Sequence, residues 1–184
     1  MLPINYNLQI KNTMKKIIAL LLLVSACSYA QSKDVFDTAR SGTVDEIKLL
    51  VQKNKDTINA VNAAGFTPLI LACYRGNNPV AEYLAQNVKD VNYNSSNGTA
   101  LAAAVIKGNV AVTKALLLRK ANPNIADALG VTPLVYAAQF QKTELVKLLL
   151  QYKANPLTAD KEGKTPYDYA LFTKNDEIIN LLKK

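Results

Sequence analysis

The chain repeats itself every 32 or 33 residues, and this period limits its fold more than any other feature. Threonine, alanine and leucine each recur four times with the same successive intervals of 32, 33 and 33 residues. The three series are Thr67, Thr99, Thr132 and Thr165; Ala72, Ala104, Ala137 and Ala170; and Leu84, Leu116, Leu149 and Leu182. Three series with one spacing indicate a chain built from structural repeats.

Each repeat has the pattern of two short helices joined by a turn. Thr67 can cap a helix N-terminus, and Pro68 after it suits the first helical position. Val80 and Leu84, four residues apart, give the second helix an apolar stripe. A unit of about 33 residues cannot bury such stripes alone, so neighbouring units must cover them. The pattern therefore predicts an all-α repeat solenoid.

Residues 31–184 are predicted to form a single domain of about five units, since no Pro/Gly/Ser-rich linker divides them. The segment 33–61 keeps Ala39, Ile47 and Leu50 at repeat positions but lacks Thr-Pro-Leu, and we interpret it as an N-terminal cap. The polar segment 163–184 is interpreted as the C-terminal cap.

The residues Gly-Phe-Thr-Pro-Leu at 65–69, the following Ala72 and the Gly-Asn turn at 76–77 resemble the ankyrin repeat. The resemblance covers roughly residues 33–184. It implies antiparallel helix pairs joined by short β-hairpin loops, called fingers. Two departures stand out: the chain has no His, and the third unit lacks the residue between Gly98 and Thr99 and has Ala100 for Pro. We therefore expect an irregular finger at 93–98.

The resemblance also implies that another protein binds across the concave face formed by the finger tips and the first helices. Carried over by position, the expected contact residues are Phe66, Tyr74, Arg75, Ile106, Lys107, Leu129, Val131, Phe140 and Phe172. The alternative is that the aromatic members of this set pack between units as core. Lysines are scattered and often beside acids, so no nucleic-acid partner is expected, and we expect a monomer.

Residues 1–30 are predicted to be an upstream extension followed by a secretory signal peptide that starts at Met14. Lys15 and Lys16 precede the apolar run 17–24, which is too short to span a membrane. Removing the leader lowers the formal charge from +8 to +5, because it contains three lysines and no acid. The leader predicts an exported protein of the bacterial envelope, periplasmic or secreted.

Two processing sites compete in this leader. Residues 24–27 resemble a bacterial lipobox, which would place a lipid on Cys27 and anchor the protein to a membrane. Small residues at Ser28 and Ala30 match ordinary cleavage after Ala30. We favour soluble release, since a lipid on Cys27 would leave a tether of only about seven residues before the first predicted helix.

The composition argues against catalysis, a metal site or a cofactor. Without His, no Ser-His-Asp or Cys-His arrangement is possible, and two cysteines cannot complete a zinc site. Equivalent positions to Cys73 hold apolar residues, so we expect a buried, inert thiol. The acids of the last unit are read as a solvated cap: Asp160, Glu162, Asp168, Asp176 and Glu177.

The leading hypothesis is a non-catalytic protein-binding module in the bacterial envelope. A secreted effector or an immunity-type inhibitor that occludes a partner enzyme is the first alternative. A weak enzyme that uses Cys73 or the acids is the second.

Overall fold

Each repeat forms a helical hairpin, and the computed structural model, which describes residues 14–16 and 33–183, contains five hairpins in those residues. First helices contact the first helices of neighbouring units, and second helices contact second helices, so the hairpins stack in two layers. The helix pairs of units 1 to 5 are Val35–Ser41 and Val44–Lys53, Pro68–Arg75 and Asn78–Asn87, Ala100–Ile106 and Val110–Leu118, Pro133–Gln139 and Thr143–Gln151, and Pro166–Thr173 and Asp176–Leu182. A short 3-10 helix, Thr57–Asn59, follows unit 1. The predicted all-helical solenoid is confirmed.

The first helices begin at the residues that the pattern predicted. In units 2 to 5 the threonine hydroxyl accepts a hydrogen bond from the backbone N–H three residues later, as from Ile70 to Thr67 at 3.3 Å. Asp34 does the same in unit 1, where it accepts from the N–H of Asp37 at 2.7 Å. Each bond satisfies one of the free N–H groups at a helix start, which typically contributes about 1 kcal/mol.

The apolar stripes form one continuous core. The alanines of the repeat series are fully buried, and so are the leucines and the apolar residues four positions before them. Small alanines let neighbouring helices approach, and the leucines fill the space between the two layers. Burying one such leucine contributes about 1.5–3 kcal/mol, so the stack is held by the sum of its unit-to-unit contacts.

Asparagine side chains also join successive units. Asn59, Asn92 and Asn124 occupy one repeat position, and each side-chain oxygen accepts a hydrogen bond from a backbone N–H of the following unit. The donors are Lys89 at 2.8 Å, Asn122 at 2.7 Å and Asn155 at 2.7 Å. These bonds give the exposed loop N–H groups a protein partner and link each unit to the next at a fixed position.

The turn between the two helices of a unit requires a left-handed residue. Gly76 and Gly108 supply it in units 2 and 3, with φ of 75° and 73°. In units 4 and 5 the same position holds Gln141 and Lys174, with φ of 54° and 53°. A side chain in this conformation costs about 1–2 kcal/mol, whereas glycine adopts it freely.

The prediction of an irregular finger at 93–98 is wrong. This finger forms a short antiparallel ladder in which Asn94 pairs with Thr99 and Ser95 with Gly98. The Ser95 hydroxyl donates to the Gly98 carbonyl at 2.8 Å, and Gly98 accepts a φ of 94°. The missing residue thus leaves a two-residue turn, Ser96 and Asn97, and Gly98 after it adopts the positive φ that closes the hairpin.

Of the predicted leader, only residues 14–16 are described, and they are helical. The competing sites at Cys27 and Ala30 lie outside the described residues. Within residues 14–16 and 33–183, no helix is both long and apolar enough to cross a membrane.

Candidate partner-binding face

Four fingers connect the units, and together with the first helices they form a surface that we call the finger face. The fingers are numbered 1 to 4 and comprise residues 62–66, 95–98, 127–131 and 160–164. Fingers 1, 3 and 4 share one device: the side-chain oxygen of their first residue accepts two backbone N–H groups, two and four residues later. This acceptor is Asn62, Asp127 or Asp160, and it closes the turn from inside.

Fingers 3 and 4 are further tied to the following first helix by tyrosine. The Tyr136 hydroxyl donates to Asp127 at 2.5 Å, and the Tyr169 hydroxyl donates to Asp160 at 2.6 Å. We call these two contacts the tyrosine struts. The repeat series of threonine, alanine and leucine did not predict them, although an Asp and a Tyr nine residues apart recur 33 residues later and could have indicated them.

The tyrosine struts shift the pKa values of the residues that form them. Burial, followed by the hydrogen bond to Asp127, raises the pKa of Tyr136. The hydrogen bond to Asp160 raises the pKa of Tyr169 to about 12. Burial opposes ionisation of Asp160, but the Tyr169 hydroxyl and the N–H groups of Lys164 and Glu162 outweigh it and lower the pKa of Asp160. Asp160 is therefore the charged acceptor and Tyr169 the protonated donor of a structural hydrogen bond, and the Asp160 carboxylate is not free to act as a base.

Hydrogen bonds between finger tips also differ along the stack. The Ala128 N–H donates to the Ser96 carbonyl at 3.1 Å, and the Lys161 N–H donates to the Leu129 carbonyl at 3.0 Å. Backbone hydrogen bonds therefore join fingers 2, 3 and 4 in a continuous row. In the described residues, no backbone hydrogen bond joins finger 1 to finger 2. A cleft of about 290 Å³ lies between those two fingers and the helices behind them.

This finger cleft brings together four of the nine residues that the repeat positions predicted. Phe66, Tyr74, Arg75 and Ile106 line it, together with the finger residues Asn62 and Asn97. Lys107, a fifth member of the predicted set, places its Nζ 5.5 Å from the centre of the Tyr74 ring. Phe66 and Ile106 are half-buried, whereas Tyr74 is 52% exposed. The cleft therefore has an apolar floor and an exposed aromatic and cationic edge.

The remaining predicted residues lie elsewhere on the finger face. Phe140 stacks on the strut tyrosine Tyr136 with ring centres 6.1 Å apart, and Leu129 is exposed at the tip of finger 3. Phe172 is 87% exposed and borders a wider hollow of about 580 Å³ over unit 5. Exposure of Tyr74, Phe140 and Phe172 argues against packing between units as their role.

Val131 requires a correction. Its side chain is only 8% exposed, and its backbone N–H donates to Asp127 at 2.9 Å. Val131 therefore supports the finger from beneath and presents no surface to a partner.

Cys73 and four of the five acids that a catalytic mechanism could use are buried or engaged by other groups, and the fifth acid, Asp176, is exposed. Cys73 is buried, and burial raises the pKa of its thiol to about 12, so it stays protonated at neutral pH. Asp168 caps its own helix at Thr165, and Glu177 pairs with Lys147 at 2.6 Å. Within residues 14–16 and 33–183, no cluster of three or more His, Cys, Asp or Glu could hold a metal ion.

All five units of the stack are similar to known proteins. The family model described as ankyrin repeats (3 copies) matches residues 35–127 and 101–184. Among similar curated proteins is ankyrin repeat and SAM domain-containing protein 6 of Rattus norvegicus, 32% identical over 117 residues, or 61% of this chain. Another is protein fem-1 homolog A-like of Mus musculus, 33% identical over 98 residues, or 53% of this chain. The chain spans only 13% and 15% of the lengths of these two relatives.

Proposed function

Since this chain belongs to the ankyrin-repeat family, we propose that it is a non-catalytic module that binds another protein through its finger face. Ankyrin repeats are protein-binding modules. The observation that carries the proposal is the finger cleft, where residues predicted from three repeat positions of units 2 and 3 meet around one opening. Aromatic and arginine side chains at a partly enclosed apolar site are the types that dominate binding energies.

The finger face can be tested by capture of a partner from an extract of the protein's own host. The variant Tyr74→Ala plus Phe140→Ala removes two exposed rings from this face. Truncating each binding anchor typically costs about 2 kcal/mol, so the captured amount should fall at least tenfold. The control Leu49→Ala plus Leu118→Ala removes two side chains that are 58% and 64% exposed on second helices, and it should capture normally. Undiminished capture by the first variant would contradict the proposal.

We propose further that the module acts outside the bacterial cytoplasm. The cationic pair Lys15–Lys16, the apolar run 17–24 and the lack of any acid before Asp34 support this. Cleavage after Ala30 would release a soluble protein, and acylation of Cys27 would retain it at a membrane. The intact mass of the purified native protein separates these outcomes: an N-terminus at Gln31 supports release, a diacylglyceryl mass on Cys27 replaces release with anchoring, and an uncut chain overturns export.

The same capture experiment separates a scaffold from an inhibitor. If the captured partner is an enzyme and loses activity in proportion to the bound module, the role is occlusion. A partner whose activity is unchanged would favour a scaffolding role.

A further inference from the structure

We infer that the partner offers an acidic protein segment with one large apolar side chain, which enters the finger cleft while its carboxylates face the neighbouring cations. This inference rests on the proposed function and adds the chemistry of the ligand. It follows from three features of units 2 to 4: a long acid-free surface, a row of unpaired cations, and the size and lining of the cleft.

The acid-free surface can be read from the chain itself. No Asp or Glu occurs at 57–81 or at 91–126, which include fingers 1 and 2 and the first helices of units 2 and 3. The nearest acids lie on second helices, as Glu82 does, or at the margin of this surface, as Asp37 does on the first helix of unit 1. Asp37 is paired at 2.7 Å with Arg40, which also lines the cleft. A partner carboxylate that approaches the finger cleft meets no like charge from those segments.

Three cations follow one edge of this surface. Arg75, Lys107 and Lys142 lie at the turn between the first and second helices of units 2, 3 and 4, and all three are exposed. In the described residues, none of them lies within salt-bridge distance of a carboxylate. Four lysines outside this row do have such partners within 3.4 Å: Lys48, Lys89, Lys147 and Lys164. The row is thus an edge of unpaired cations, with one positive charge in each of units 2, 3 and 4.

Lys107 joins the charged edge to the cleft. Its ammonium lies over the Tyr74 ring at 5.5 Å, and Tyr74 and Arg75 are adjacent in the chain. A ligand side chain against Phe66 and Ile106 would therefore have an aromatic wall and two cations beside it. Cations placed on aromatic faces keep their charge available to an anion while the ring remains available for apolar contact.

The size of the cleft favours one side chain over a separate small molecule. Its volume of about 290 Å³ falls just below the roughly 300–1,000 Å³ typical of small-molecule sites. Three cations in a row are also few for a nucleic acid, whose binding depends on neutralising many phosphates. An extended acidic segment anchored by one apolar residue matches both the charge row and the single opening.

The test uses the mature protein and a set of fluorescent peptides of equal length. The main probe is rich in Asp and Glu with a central Phe; matched probes replace the Phe by Ala, or the acids by Lys. A single-stranded oligonucleotide is included as the nucleic-acid probe. We expect the acidic Phe peptide to bind at least tenfold more tightly than either matched peptide and than the oligonucleotide, and its affinity to fall as salt is raised.

Two variants show which residues cause the preference for Phe and which cause the preference for acidic residues. Tyr74→Ala should reduce the advantage of Phe over Ala in the acidic peptides. Arg75→Gln plus Lys107→Gln should remove most of the salt dependence and the preference for acids, whereas Lys114→Gln plus Lys120→Gln, which removes the same charge from exposed lysines outside the row, should not.

Equal binding of acidic and basic peptides, stronger binding of the oligonucleotide, or an unchanged acid preference in the Arg75/Lys107 variant would overturn the inference. The proposed function fails separately. If capture from the host extract depends on Tyr74 and Phe140 but the acidic peptide shows no advantage, only the ligand chemistry is wrong; if capture ignores those residues, the binding face itself is wrong.

Discussion

Fingers 1 and 2 differ from fingers 3 and 4 in how they are held. Fingers 3 and 4 carry the tyrosine struts, and fingers 2, 3 and 4 are joined at their tips by backbone hydrogen bonds. Finger 1 has no strut, because the equivalent of Tyr136 in its unit is Leu71, and no backbone hydrogen bond of the described residues ties it to finger 2. We call fingers 3 and 4, with the first helices of units 4 and 5, the braced part of the finger face. Fingers 1 and 2, with the first helices of units 2 and 3, form the open part, because they have no strut and the finger cleft lies between them.

Both parts of the finger face stand on the same continuous core, and truncating core residues tests whether they are packed equally well. Leu84→Ala in unit 2 and Leu149→Ala in unit 4 each remove a fully buried side chain at the same repeat position. Each variant should lose about 2–5 kcal/mol of unfolding free energy, measured by urea denaturation followed by circular dichroism. Losses that differ severalfold would show that the two parts differ in packing as well as in their fingers.

Removing a strut hydroxyl should destabilise only the braced part. Tyr136→Phe removes the donor at 2.5 Å from the Asp127 Oδ2 atom, while Oδ1 keeps the N–H groups of Leu129 and Val131. We expect a loss of about 1–2 kcal/mol, since the lost bond goes to a carboxylate that is half-buried. Tyr83→Phe is the matched control: Tyr83 is also half-buried, and the hydrogen bond described at this residue goes to its backbone carbonyl and not to its hydroxyl. If Tyr136→Phe and the control unfold at the same urea concentration, the strut contributes nothing to stability.

The struts also predict how the stability changes in alkali. The pKa of Tyr169 is raised from 10.0 to about 12, so between these values the unfolded chain ionises first and the folded chain keeps more protons. The free energy of unfolding should therefore fall as pH rises through this range. Tyr169→Phe lacks this titration, and its destabilisation relative to the parent should shrink between pH 10 and pH 12. A constant difference across the range would argue that the hydroxyl does not titrate differently in the two states.

The smallest expected effect concerns the turns between paired helices. Units 2 and 3 have glycine at the left-handed position, but units 4 and 5 have Gln141 and Lys174. Replacing Gln141 or Lys174 by Gly should stabilise the fold by about 0.5–1 kcal/mol, whereas Gly76→Ala should destabilise it, as measured by the urea midpoint. Destabilisation by Gln141→Gly would mean that the glutamine makes contacts that outweigh its backbone strain.

Much of the fold could be predicted because its determinants are local and recur. Threonine caps, prolines at first helical positions and the Val80–Leu84 type of stripe each depend on residues within one unit. The regular finger at 95–98 escaped prediction, because the Ser95 side chain and a positive φ at Gly98 close a turn that the shortened spacing alone would not indicate.

The finger face was harder to predict, because it depends on contacts between units. Repeat position selected Phe66, Tyr74, Arg75 and Ile106, which the stack does bring together. The same reasoning selected Val131, which is equivalent to Phe66 and Lys164. The exposure of this repeat position differs between fingers, since Val131 is buried, Phe66 is half-buried and Lys164 is exposed. The struts and the tip bonds depend on the register between units, which no single repeat contains.

The central claim is that the partner binds on the finger face and places an apolar side chain in the finger cleft. Site-specific photo-crosslinking tests it most directly, with the crosslinking amino acid placed at Ile106 in the finger cleft, at Phe172 on the braced part, or at Leu118 on a second helix. We predict a strong partner adduct from position 106 and little from 172 or 118. Adducts formed mainly at 172 or 118, with none at 106, would contradict the account.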